Sequence, residues 1–579
     1  MSGWDSALDG PPGDAAPRAG FAIPNRTRAA AVAIGVLFGG AASAFIGWAY
    51  WTALNAPAVG MFHDDGIYLV TAKALATGHG YRIISLPGEI AQTKYPILFP
   101  ALLAAVWKMS PQFPQNLFWL KLAPLACTLV WGALAFQFFR HETGSMPVAI
   151  ALTGWLAMAP WVLFLGTALL SETLFAALVT GALLLVRRLE RGDGGWPAVA
   201  GMALLASGAF LTRTLGITLL VAAGMMLCRR HRWRQAAIFA MLCSTLCGPW
   251  IWWQARQHSA ALAHAAYYSS ANYGNWNILL HYAPGEKARI LSQNLMGALL
   301  APATLVGVPA TGAGPLLALA LGALIVAGFA VSFRGRWAAL EIFVLLYGAG
   351  VLSWAWPPVR FVAPLLPVLL LYAYRGAQAA CRLVSLRARQ TVVAMVCLAV
   401  PLLLQGAWSL RRTAVAIGDG GTVEMPGLPQ DDWREMARML DWIGRNAPPD
   451  AVLIGNLDPV LYLYTGRKSV RAFIPNPYLL HYATGAGVSP LGTPGELLDI
   501  IRWYRANYLV CSPNASFREG PYLARLTNEL MREHPERFGL VYRSADSRYR
   551  IYATVLDAYE GDLSVKPNFG AGSRLIGSN

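Results

Sequence analysis

The sequence predicts a polytopic α-helical membrane protein that ends in a soluble α/β domain. Two observations predict the first part. Of 579 residues, 56% are hydrophobic and only 13% charged, about half the charged share of ordinary soluble domains. Apolar runs also recur at about 17–25 residues, the length a helix needs to cross a bilayer. A third observation predicts the second part: from about Arg411 the composition turns soluble, with helix-period and strand-period segments in alternation.

The formal charge of +16 comes from 46 Lys and Arg against 30 Asp and Glu. The basic residues lie largely in short loops between apolar runs, which reports membrane topology and contact with anionic membrane lipids. No nucleic-acid partner is implied. The seven cysteines form neither a CxxC pair nor a disulfide framework. The histidines expected on the outer side, His63, His79, His258, His264 and His281, follow no HExxH or other fixed zinc spacing.

Taken in order, residues 1–28 read as a loose, polar cytoplasmic N-terminus with no cleavable signal. Arg18, Arg26 and Arg28 precede a first span at about Ala29–Trp51 and place the N-terminus inside. Residues 52–115 then form the first outer loop. In it Gly66–Thr77 reads as a short helix with Asp64 or Asp65 as its N-cap, and Tyr95–Met109 as an interfacial or re-entrant piece. Further spans are expected at Asn116–Phe139, Met146–Gly166 and Glu172–Val186, and a hairpin at Ala198–Leu211 and Thr214–Leu227 with Arg213 near its tip. Gln235–Trp253 precedes a long outer loop at Arg256–Met296, and spans at Leu316–Val331, Trp337–Trp354, Val359–Tyr374 and Thr391–Trp408 follow. The total is about eleven spans in a membrane region over 29–410, with the basic Arg334, Arg336 and Arg387 inside. The domain over 411–579 is then extracytoplasmic. Its expected elements are an amphipathic helix at Asp431–Ile443, strands at Ala451–Ile454 and Tyr508–Cys511, a helix at Glu496–Tyr504, a hairpin within Gly539–Ala553 and a loose tail.

The stretch from His63 to Pro100 carries the chemistry: two adjacent acids with His63, Lys73, His79 and Lys94, all at a membrane edge. Ionisable groups there are expensive and mark functional sites. Asp64 or Asp65 suits a general base for an acceptor hydroxyl, or a ligand for a divalent cation near phosphate; the structural alternative is a cap on the following helix. Glu172 opens a helix, where the dipole favours an acid, and it shares the outer face. Lys94 and Arg360 suit the growing charge of a phosphate leaving group; the alternatives are a snorkelling lysine and an interfacial anchor beside Trp356. Arg213 reads equally as a helix cap. Asp458, before Pro459, reads as a cap and not a catalyst.

Asp64-Asp65-Gly66-Ile67-Tyr68 followed by Lys73 resembles the acidic-pair motif in the first outer loop of GT-C glycosyltransferases, of the protein O-mannosyltransferase and aminoarabinose-transferase group. Thr93-Lys94-Tyr95-Pro96, Leu170-Ser171-Glu172-Thr173-Leu174-Phe175, Leu211-Thr212-Arg213 and Gly248-Pro249-Trp250 resemble later elements of that group, in the same order across the membrane part. The resemblance implies a GT-C fold and transfer of a sugar from a polyprenyl-phosphate donor to a lipid, glycan or protein acceptor, with inversion. It implies Asp64 as base, Asp65 and Glu172 as acidic neighbours, and Lys94 facing the donor phosphate; Asp65 and Glu172 are candidates to hold a divalent metal cation, and Arg360, from the residue reading alone, is a second candidate cation for the phosphate. His63, Tyr68, Lys73 and Tyr95 would support the site or the acceptor. One departure stands out: Thr93 occupies a position that is acidic in aminoarabinose transferases, which counts against aminoarabinose specificity and a metal ligand there. The competing class is a transporter or lipid flippase that couples through the same acids, although no internal repeat of the transporter kind is visible.

Overall fold

A computed structural model of the chain describes residues 25–60, 62–257, 282–333, 337–385, 388–419, 433–483, 489–513 and 519–555. Residues 1–24 and 556–579 of the expected loose termini, His258, His264 and His281, and the basic Arg18, Arg334, Arg336 and Arg387 lie outside these residues, whereas residues 25–28, expected to be loose, are helical. The chain parts into two compact units, Met1–Trp48 and Ala49–Asn579. Of the first, the described residues belong to the helix Asn25–Leu54, which runs on into the second.

The architecture is mostly helical, closed by a mixed sheet near the C-terminus. Leu117–Thr143, Trp233–Arg256, Gly314–Phe333 and Val359–Leu383 are long and apolar enough to cross a membrane. Shorter apolar helices run at Leu98–Met109, Trp196–Thr212, Thr214–Arg229 and Ala339–Leu352. The expected hairpin is present with Arg213 at its break: extended backbone there separates Trp196–Thr212 from a 3-10 turn that leads into Ile217–Arg229.

Several boundaries differ from expectation for local reasons. The span expected over Met146–Gly166 is two helices, Met146–Ala157 and Pro160–Thr167, bent by 61°. Pro160 removes a donor, and Ala159 before it is extended. The outer loop expected to reach Met296 ends early, because Pro284 starts the helix Pro284–Leu305. There Ala283 N–H donates back to Glu286 (2.9 Å), a helix start whose Pro-Gly-Glu sequence reads at first sight as a breaker. The last long helix before the C-terminal domain is Ala388–Gly418, not Thr391–Trp408, since nothing after Trp408 breaks it before Gly418. Neither acid caps the first-loop helix, which spans Asp64–Ala76. His63 occupies the cap position, and both acids fall in the first turn.

Gly314–Phe333 and Leu366–Leu383 pack backbone to backbone. A Cβ on Gly328 would lie 1.8 Å from the Tyr372 carbonyl oxygen, and one on Gly376 1.9 Å from that of Leu324. Only glycine permits this approach.

The C-terminal sheet has five strands, β1 (Leu453–Gly455), β2 (Ser469–Arg471), β3 (Tyr508–Cys511), β4 (Phe538–Arg543) and β5 (Arg550–Thr554), in the order β2-β1-β3-β5-β4. β1 pairs parallel with β2 and β3, and β5 antiparallel with β3 and β4. β1 and β3 are largely apolar and buried, as strands covered on both faces must be, whereas β5 carries Arg550 and Thr554. Trp433, Met436, Leu440 and Ile443 of helix Trp433–Asn446 bury their shared stripe against Leu453, Val510 and Ile551. The helix Asp458–Thr465 connects β1 to β2 and contributes Val460 and Leu461 to the same core.

Candidate active site

The first turn of helix Asp64–Ala76 sends its two acids in different directions. Asp65 turns back on its own loop and accepts from the backbone N–H of Gly60 (2.7 Å), Phe62 (3.0 Å) and Gly66 (3.1 Å). Burial pushes its carboxyl up to about 6 even against these donors. Asp64 instead faces the membrane helices. Its Oδ2 accepts from Arg360 Nη1 at 2.7 Å, and its Oδ1 from the Tyr95 hydroxyl. Burial would raise this carboxyl, but Arg360, Lys94 and Tyr95 outweigh it and hold Asp64 well below the usual carboxylate range.

Arg360 also donates through Nε to Glu172 Oε1, and so bridges the first-loop acid to the acid that opens helix Glu172–Glu190. Arg213 Nη1 reaches the same Glu172 oxygen (2.6 Å) and Ser171 Oγ (3.2 Å). Ser171 Oγ lies 3.0 Å from the Tyr68 hydroxyl. The Tyr68 ring in turn packs on Tyr95 and Phe99, with centroids 5.0 and 5.2 Å apart. Two polar atoms of this cluster are buried without a hydrogen-bond partner: Arg360 Nη2 and Glu172 Oε2. A buried guanidinium N–H left unpaired carries the full desolvation penalty, which a polar ligand would relieve.

Lys94 sits on the loop before helix Leu98–Met109, with Nζ 4.8 Å from the Tyr95 ring centroid. That loop is pinned to the end of helix Trp233–Arg256. Trp253 Nε1–H donates to Gln92 O (3.0 Å) and Gln254 Nε2–H to Thr93 O (2.8 Å). The side chain is buried, and burial pulls its ammonium down to about 8 against the pull of Asp64. His63 is buried as well and donates from Nε2 to Asp458 Oδ1 (3.0 Å); a carboxylate only accepts, which fixes the tautomer. Burial and Arg471 push the imidazole below its ordinary pKa although Asp458 opposes them.

Of the residues expected from sequence, Asp64, Glu172, Lys94, Arg360, Tyr68 and Tyr95 converge. Lys73 does not. It lies nine residues along the helix from Asp64, about 13 Å, with Nζ 4.7 Å from the Tyr462 ring centroid. His79 contacts Thr77, with Nδ1 2.8 Å from its hydroxyl. Asp65 and Glu172 do not make a cation site together. Three N–H groups occupy the first and two guanidiniums the second, and no group of three His, Cys, Asp or Glu that would hold a metal occurs among the described residues. Asp458 is not the expected cap: Leu457 holds the cap position, and Asp458, in the first turn, is fully buried and bonded to the residue before the catalytic candidate. Sequence carried a signal for Ser171 and Arg213, which stand in the motifs, but none for Asp458 beyond an ordinary helix start.

The chain has the fold seen in the GT-C membrane glycosyltransferase ArnT. ArnT from Cupriavidus metallidurans in the apo state aligns over 91% of this chain and 98% of its own, at 13% identity and TM-score 0.53. ArnT bound to undecaprenyl phosphate aligns over 91% and 99%, at 16% identity and TM-score 0.54. The Archaeoglobus fulgidus oligosaccharyltransferase AglB, in complex with an inhibitory peptide and a dolichol-phosphate, aligns over 89% and 74%, at 11% identity and TM-score 0.49. By sequence, no family model and no curated protein matches the chain. The likeness is one of structure: the chain shares this architecture, and four of its described helices are long and apolar enough to cross a membrane.

Proposed function

We propose that this protein is a glycosyltransferase that moves a sugar from a polyprenyl-phosphate donor to an extracytoplasmic acceptor, with inversion. Residues 1–28 are then cytoplasmic, 29–410 form the membrane region, and 411–579 face the acceptor side. The observation that carries the reading is Asp64: a carboxylate at the membrane edge, oriented by Tyr95 and Arg360, beside the buried ammonium of Lys94. The ArnT structure bound to undecaprenyl phosphate supports a lipid phosphate as the leaving group here.

In this reaction the acceptor oxygen attacks the anomeric carbon while Asp64 takes its proton. The bond from anomeric carbon to phosphate oxygen breaks, and the electron pair leaves with the polyprenyl phosphate. Lys94 and the unpaired Nη2–H of Arg360 meet the charge that grows on that phosphate, where low dielectric strengthens each contact. Once Arg360 engages phosphate, its hold on Asp64 weakens and the carboxylate becomes the stronger base. Guanidinium and ammonium groups supply the positive charge throughout. The acceptor is a lipid, a glycan or a protein.

The test is transfer from radiolabelled polyprenyl-phosphate sugars by purified wild type and Asp64→Asn. The substitution lowers turnover about a thousandfold, the middle of the range for losing a general base, while the protein stays folded. Equal turnover in both removes Asp64 from this role. Absence of donor binding and turnover in wild type replaces the reading with a transporter or flippase.

A further inference from the structure

The helix that carries Asp64 starts from a turn that side chains rarely adopt. His63 has φ +61° and ψ −49°, and the Asp64 N–H closes onto the Phe62 carbonyl at 2.6 Å. This is a three-residue γ-turn of the rare positive-φ kind, strained for any residue with a Cβ. Such geometry persists where surrounding structure over-determines it.

That surrounding structure comes from the other end of the chain. Asp458 Oδ1 accepts from His63 Nε2 at 3.0 Å, with side chains 0% and 3% exposed. Asp458 is itself fixed: it opens helix Asp458–Thr465, and its carbonyl oxygen accepts from the Ser469 hydroxyl. The next two residues press on the same loop. A Cβ on Gly60 would lie 2.2 Å from Val460 Cγ2, and one on Gly66 2.7 Å from Pro459 Cβ. Strand β2 adds backbone contact, with Ser469 N–H donating to Ser85 O (2.9 Å). Within the turn, the N–H groups of Gly60 and Phe62 hold Asp65 backward, and Asp64 is left facing Arg360 and Tyr95.

We propose that Asp458 is a positioning residue for sugar transfer: through His63 it holds the γ-turn that aims Asp64 at the acceptor hydroxyl. The C-terminal domain is therefore part of the catalytic arrangement and not a cover over it. The inference rests on Asp64 being the base.

The experiment uses the full-length protein and measures kcat and KM with a radiolabelled polyprenyl-phosphate sugar, affinity for undecaprenyl phosphate, and melting temperature. The variants are Asp64→Asn, His63→Ala, Asp458→Ala, Asp458→Asn and the His63→Ala/Asp458→Ala double. His63→Ala and Asp458→Ala each lower kcat about a hundredfold, the scale of an ångström misplacement, with KM and lipid affinity unchanged. The double variant is no worse than either single, as expected of residues that act as one unit. Asp458→Asn keeps an acceptor oxygen for the imidazole N–H and recovers kcat to within about tenfold of wild type. It also serves if Asp458→Ala does not fold. Wild-type kcat in both single alanine variants, multiplying losses in the double, or a loss confined to KM and lipid affinity overturns the inference. Active Asp64→Asn, or wild type without turnover, overturns the base assignment and the inference with it. Active wild type, dead Asp64→Asn and unaffected Asp458 variants overturn only the inference.

Discussion

The helix Glu172–Glu190 carries a charge network at each end, and the two differ in kind. At its last turns, Arg187 and Arg375 each pair with Glu142 (3.1 and 2.8 Å), Arg187 also holds Glu190 (2.9 Å), and Glu190 accepts the Ala339 N–H (2.8 Å). Glu341 lies 3.9 Å from Arg187 as well, and the charged members all belong to the helix bundle: Leu117–Thr143, Glu172–Glu190, Ala339–Leu352 and Leu366–Leu383. At its first turn, Glu172 is joined through Arg360 to Asp64, which stands on a loop-borne helix and is the most exposed member, at 24%. One network ties helices to helices. The other holds a carboxylate that the bundle does not own, in front of an unpaired guanidinium N–H. Similar residues make a clamp at one end and a site at the other, and the difference lies in who supplies the last acid.

That contrast can be broken by substitution. Arg360→Lys keeps the charge, but a single ammonium cannot bridge Asp64 and Glu172 as a planar fork does. Transfer falls about a hundredfold, near the loss for one transition-state donor, and unchanged turnover would remove Arg360 from the site. Glu142→Gln, at the other end, leaves Arg187 and Arg375 short of a buried partner. It destabilises the fold by about 3 kcal/mol, read as a melting temperature several degrees lower, with kcat per folded molecule near wild type. A dead but fully stable Glu142→Gln would erase the distinction between clamp and site.

The pH profile sharpens the comparison further. Lys94 is cationic below about 8 and loses its proton above it, so turnover that needs the ammonium declines as pH rises through that value, about tenfold per unit once well above it. Lys94→Arg shifts the decline upward, while a profile flat from pH 7 to 9.5 would show that the charge is not used. Since Asp64 is held well below the usual range, protonation of the base limits activity only in strong acid. The smallest effect belongs to Lys73→Gln. Lys73 faces Tyr462 and not the acid pair, so turnover stays within about twofold of wild type; a large loss would extend the site along the helix.

The site was legible in sequence where one segment carried both the chemistry and its reason for being there. Two acids after an apolar run, a lysine before Tyr95-Pro96 and an acid opening a helix all stand out because charge at a membrane edge is costly. Lys73 lies apart from the acids because a nine-residue offset on a helix separates side chains that look adjacent in the text. Asp65 turns away for another reason: it accepts from its own loop, and a carboxylate that does so has the same sequence signature as one that binds a ligand. Asp458 was unreadable because an acid before proline at a helix start explains itself, and only the fold brings it to His63. In the C-terminal domain the long amphipathic helix and β3 were plain from periodicity, whereas the three-residue β2 is too short to show any.

The bond between His63 and Asp458 joins residues 395 apart in sequence. A ribosome adding about 5–20 residues per second needs about 20–80 seconds to travel that distance. For that interval the acidic loop already exists while the helix that steadies it has not been made. Through that interval the nascent chain lacks the His63–Asp458 contact, and truncation before Asp458 removes that hold on the turn while Arg360 and Tyr95 still reach Asp64. The order of synthesis delays that contact until the protein is nearly whole.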